Sequence, residues 1–141
     1  MVSRIGGGGH KSAIKSPPAK WSDLTTQRYV FALHDGGNGV SDSVLSHYLA
    51  AGGTLQDANQ QPVLDQAALA QLLEVYRQAQ RGNNLPDNIF DLDNDALVWT
   101  AFIGSKAALA NVRASTYLSV AQELPTLQFA VLLNRHARAY G

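Results

Sequence analysis

Apolar side chains recur along this chain in two rhythms, and the change from one to the other marks its elements. Arg28-Tyr29-Val30-Phe31-Ala32-Leu33 is a β-branched and aromatic run closed by His34-Asp35-Gly36-Gly37, which reads as a strand entering a turn. Val40, Val44, Leu45, Tyr48 and Leu49 then fall at helical spacing. They predict a helix over residues 40–51, with Gly39 or Ser41 near its start and Gly52-Gly53 at its end. Asp57-Ala58-Asn59-Gln60 separates Thr54-Leu55-Gln56 from Gln61-Pro62-Val63 and predicts a small surface hairpin. Asp65 caps a second helix that runs to Arg81, turns Leu69, Leu72, Leu73 and Tyr76 inward, and stops at Gly82. A third helix covers residues 93–103, burying Leu97, Val98, Ala101 and Phe102, with Trp99 in the core and Gly104 as stop. Residues 107–112 read as a short buried strand, Ser115-Thr116 as the cap of a helix through Gln122, and residues 127–133 as a final apolar strand.

Strands that alternate with helices predict an α/β fold, with helices packed on a small mixed sheet. The 141 residues are enough for one domain. Three core strands are few for a free-standing sheet.

Charge and composition narrow the chemistry. Lys+Arg and Asp+Glu are each 11, and this neutral balance speaks against a generic nucleic-acid binder. The chain has no cysteine, which excludes disulfides, thiol catalysis and thiolate metal sites. The charges are segregated. Arg4, Lys11, Lys15 and Lys20 precede the first acid, Asp23; Asp87, Asp91, Asp93 and Asp95 cluster; Arg135, His136 and Arg138 close the chain. Such runs are solvated ends and faces. Residues 1–18, rich in Gly, Ser, Lys and Pro, predict a disordered basic tail. Gly6 to Gly9 occupy the place where an export signal needs an apolar run, and no stretch approaches a membrane span, so neither is expected.

Several motifs fail on inspection. Gly6-Gly7-Gly8-Gly9-His10-Lys11-Ser12 has His10 where a phosphate-binding loop needs Gly before its Lys, and no strand precedes it. Asp91-Leu92-Asp93-Asn94-Asp95 has the alternating oxygens of a calcium loop, but Ala96 and Phe102 stand where that loop needs Gly and Glu. It reads instead as a helix start capped by Asp93 or Asp95. His10, His34, His47 and His136 lack metal-ligand spacing, and no serine sits in a G-x-S-x-G setting. No enzyme, cofactor or metal is therefore expected.

Two strand-to-helix junctions remain. Asp35-Gly36-Gly37-Asn38-Gly39 follows the first strand, at the end where open α/β sheets gather ligands. Its glycines admit close backbone approach, and Asp35 and Asn38 offer acceptors and donors. Asn111-Val112-Arg113-Ala114-Ser115-Thr116-Tyr117 is the second, with Tyr117 able to stack on an apolar ligand face. The alternatives are an ordinary glycine turn and an ordinary helix cap.

Residues 18–133 also resemble the family 1 extracellular solute-binding proteins of ABC importers, the sugar-binding type. Pro18-Ala19-Lys20-Trp21-Ser22-Asp23-Leu24 is similar to the family's P-x-T-W-x-E-L helix, with Ser22 where Thr or Asp is usual. Tyr48-Leu49-Ala50-Ala51-Gly52-Gly53-Thr54-Leu55 is similar to its A-G-G-x-L helix end. Pro62-Val63-Leu64-Asp65 and then residues 67–76 are similar to the helix that follows. Trp99-Thr100-Ala101-Phe102-Ile103-Gly104-Ser105-Lys106-Ala107-Ala108-Leu109 is similar to A-F-x-x-G-K-A-A-M, with Leu109 for the common Met.

The resemblance implies a partial lobe of a periplasmic-binding-protein-like fold over residues 19–133, between the tail of residues 1–18 and a divergent basic tail at 134–141. It implies a sugar or other small polar solute as ligand, an ABC permease as partner and an extracytoplasmic setting. Without an export signal, the chain as written would stay in the cytoplasm. The ligand-binding residues would be Asp35, Gly37, Asn38, Arg113, Ser115 and Tyr117. Because the match covers mainly one lobe, a second reading stands beside it: a small non-enzymatic interaction protein, or a vestigial fragment, that forms a homodimer through exposed sheet edges.

Overall fold

The longest helix begins where Asp65 accepts the Ala68 amide at 3.0 Å, satisfying one of the N–H groups that a first turn leaves open. The computed structural model describes residues 2–4, 25–37, 39–104, 107–120 and 127–129. Among them, α1 spans Asp42–Ala50, α2 Gln66–Arg81, α3 Asp95–Gly104 and α4 Ala114–Val120. The strands are β1 (Val2–Arg4), β2 (Tyr29–Val30), β3 (Leu109–Ala110) and β4 (Leu127–Phe129), in one sheet of order β2-β3-β1-β4. β2 and β3 are parallel, with Tyr29 opposite Leu109 and Val30 opposite Ala110. β1 lies antiparallel to both β3 and β4. The fold is mixed α/β.

Val2–Arg4 belongs to the stretch whose composition predicts disorder, yet it is a strand. Its ladder partners are more than a hundred residues away in sequence, so composition does not register them. The rest of that stretch, Trp21, and residues 130–133 of the expected last strand lie outside the described residues.

Tyr29, Val30, Leu109 and Ala110 are all buried, as parallel strands covered on both faces require. α3 covers the pair with Val98 and Phe102, both fully buried. Trp99 packs half-buried at the edge of that core, its ring 5.7 Å from Phe102. A smaller cluster of Tyr48, Ala68 and Leu72 joins α1 to α2. The Tyr48 hydroxyl accepts the Asp65 amide at 2.6 Å and donates to the Thr54 carbonyl at 2.8 Å, which fixes the turn leading into α2. A side chain at Gly53 would overlap the Tyr48 ring. The expected hairpin is a single bridge between Gln56 and Pro62, turned by Asp57, whose carboxylate accepts the Asn59 and Gln61 amides.

Four expectations need correction. Leu73 and Leu97 are 56% and 43% exposed rather than inward. Each is next to a residue that does face the core, Leu73 after Leu72 and Leu97 before Val98, and a one-residue step turns a helix by about 100°. Val40 is 65% exposed, because it precedes α1 and pairs with His34. α3 is capped by Asn94, whose Oδ1 accepts the Leu97 amide at 3.0 Å, and not by Asp93 or Asp95. Ser115 and Thr116 lie inside α4, whose start is served by the carboxylate of Asp95 from α3: it accepts the Arg113 amide at 2.8 Å and the Thr116 hydroxyl at 3.0 Å.

The outer edge of β2 is also occupied. The Tyr29 amide donates to Asn84 and the Leu33 amide to Leu92, so residues 84–92 run along that edge.

Two adjacent leucines of α2 provide a direct check. Leu72→Ala is expected to cost about 2–5 kcal/mol and Leu73→Ala less than about 0.5 kcal/mol, read from urea unfolding midpoints. Equal losses would mean that α2 is rotated from the orientation described.

Candidate functional site

β2 and β3 run parallel, so both deliver their following loops to the same end of the sheet. Ser41 secures the first loop. Its buried hydroxyl donates to the Ala32 carbonyl just past β2 and accepts the Val44 amide as the N-cap of α1. Three glycines make the intervening turn, and Gly36, Gly37 and Gly39 have φ of 53°, 89° and 146°, values that side chains disfavour. The Asp35 amide closes the turn on the Gly39 carbonyl.

These constraints place Asp42, in the first turn of α1, beside Arg113 at the start of α4. The guanidinium donates to Asp42 Oδ2 at 3.1 Å. Asp42, Asp95 and Asp35 together raise the Arg113 pKa, the Asp42 hydrogen bond being the largest cause. The pair is exposed and contributes little to stability. Its chemical character is one five-donor cation paired with one carboxylate, with the charges of Asp95 and Asp35 acting on it as well.

Of the residues expected at the site, Asp35 and Arg113 are thus brought within electrostatic reach of one another. Gly37 is exposed in the turn, and Asn38 lies outside the described residues. Ser115 is exposed on the first turn of α4. Tyr117 is half-buried against the main core, so part of its ring is already covered.

The sequence reading missed the groups behind this edge. His47, only 3% exposed, lies between two tyrosines: Tyr29 Oη is 2.7 Å from Nε2 and Tyr76 Oη 2.7 Å from Nδ1. The Phe31 ring meets the imidazole edge-on, with centroids 4.9 Å apart. Asn111 Nδ2 stands 3.5 Å from Nε2. A signal was present: His47 lies three residues after Val44 on the stripe that faces the core, and Tyr76 was already on the inward face of α2.

Burial lowers the His47 pKa from 6.5 to about 3 and raises the Tyr76 pKa from 10.0, so the cluster is neutral over the ordinary pH range. Among the described residues no group of three or more His, Cys, Asp or Glu could hold a metal ion, and no helix is long and apolar enough to cross a membrane. Comparison of the chain with family models, with curated proteins and with solved structures finds no match.

The histidine makes a prediction of definite sign. The folded chain holds His47 neutral while the unfolded chain takes up a proton below about pH 6.5, so the contribution is whole above that pH and is lost as pH falls toward 3. Wild-type stability should decline by up to about 1.4 kcal/mol per pH unit from this group, and His47→Gln should flatten the curve between about pH 6.5 and 4. The check is urea unfolding across that range. A variant slope as steep as the wild type's would mean that His47 is charged in the folded state.

Proposed function

We propose that this chain is a lobe of a solute-binding protein, and that the end of its parallel strand pair forms one wall of a site for a neutral, polyhydroxylated solute of the sugar class. The observation that carries this reading is the pairing of the Arg113 guanidinium with Asp42 where the loops after β2 and β3 converge, with Asp95 accepting the Arg113 amide beside it and Asp35 adding its charge from further off. Sugar hydroxyls each donate and accept, and they are matched by carboxylates and a guanidinium set side by side. Three carboxylates around one cation leave an acidic rim, which disfavours anionic solutes. The order of motifs along residues 18–133 supports the same class.

In this reading the protein binds without turning its ligand over. One wall covers one side of the solute, and a second lobe closes on the other by a hinge, presenting the loaded protein to an ABC permease at the cell envelope. The rigid part of the wall is the β2–β3 pair, and the glycine turn supplies backbone groups that a ligand can approach closely.

Calorimetric titration with glucose, galactose and maltose tests the proposal. At least one is expected to bind, glucuronate to bind more weakly than glucose, and Arg113→Ala to weaken binding about tenfold or more by removing charge-assisted hydrogen bonds. No heat with any of the neutral sugars, or an affinity unchanged in Arg113→Ala, would sink it.

A further inference from the structure

Resting on that reading of the sheet edge, we infer that Asn111 is a ligand-reading residue of the same site, and that the buried Tyr29–His47–Tyr76 cluster holds its carboxamide oxygen outward as an acceptor for a solute hydroxyl. An amide nitrogen donates and does not accept. Asn111 Nδ2 lies 3.5 Å from His47 Nε2, so its NH2 group faces the cluster.

Nε2 is then an acceptor, and a neutral imidazole must carry its proton on Nδ1. The order that agrees with these contacts is the Tyr29 O–H to Nε2 at 2.7 Å and Nδ1–H to the Tyr76 oxygen at 2.7 Å, with the Asn111 N–H also directed at Nε2. The reverse order would set an N–H of His47 against an N–H of Asn111.

With the nitrogen committed to the interior, the carboxamide oxygen is on the other side. It meets no donor among the described residues, and Asn111 is only half-buried. The backbone holds it in place as well, since the Asn111 amide donates to the Val30 carbonyl at 2.9 Å. Two residues on is Arg113, with the buried Val112 between them anchoring the segment. The edge therefore offers a fixed neutral acceptor beside a cation. Unlike the exposed carboxylates, this acceptor is held from turning away, because the NH2 group of the same carboxamide is engaged by the buried His47 ring.

Two measurements test the inference. Long-range proton–nitrogen spectra of the unaltered chain are expected to show His47 as the neutral Nδ1–H tautomer; the Nε2–H form would overturn the assignment, whether or not any variant folds. Asn111→Leu is expected to weaken binding of the responsive sugar about tenfold. Sugar binding by the wild type that survives Asn111→Leu would overturn the role of Asn111 alone. Absence of wild-type binding would overturn the solute-binding reading together with it.

Discussion

A histidine buried without charge needs one hydrogen-bond donor and one acceptor, and in this chain both come from tyrosines on other elements. His47 on α1 meets Tyr29 from β2 and Tyr76 from α2, each at 2.7 Å. An unpaired polar group in the same place would cost about 1–3 kcal/mol, so the three elements are held in one relative position rather than merely collapsed together. Phe31 closes the group with ring contacts to Tyr29, His47 and Tyr76. The apolar core beneath, between α3 and the β2–β3 pair, supplies most of the driving force. The polar cluster supplies geometry, because hydrogen bonds are directional where apolar contacts are not.

That geometry extends to the edge of the sheet. Fixing α1 against β2 fixes its first turn, and with it Asp42, while Ser41 ties the same turn to the carbonyl of Ala32. On the other side Asp95 reaches from α3 to serve the start of α4, setting Arg113 opposite Asp42. The sheet edge thus assembles polar groups from α1, α3 and the loops after both parallel strands, none of which makes a site alone. Buried, uncharged groups provide rigidity behind it, and exposed, charged groups provide the chemistry in front.

Much of the local structure was legible in advance. Asp65 and Gly82 bound α2 because the Asp65 side chain accepts an open amide at one end and the Gly82 N–H donates to the Gln78 and Gln80 carbonyls at the other. Ser41 caps α1 for the same reason. The junctions at 35–39 and 111–117 were recognisable from their place after apolar runs. Periodicity was less able to say how much of a stripe meets a neighbour: Leu73 and Leu97 have the right spacing but lie beyond the width of the contact. Asp95 looked like a local cap, and its partners turned out to be eighteen and more residues away.

Sequence by itself determined the α/β alternation, the ends of α2, the hairpin turn and the two junctions, because each depends on residues within about one turn of one another. Tertiary structure alone decided the rest: that Val2–Arg4 pairs with strands at the far end of the chain, that Asp42 faces Arg113, and that His47 finds a tyrosine at each ring nitrogen. These are pairings across large sequence separation. A carboxylate or an imidazole carries no mark of its distant partner, and only packing of the apolar faces brings the two within hydrogen-bonding distance.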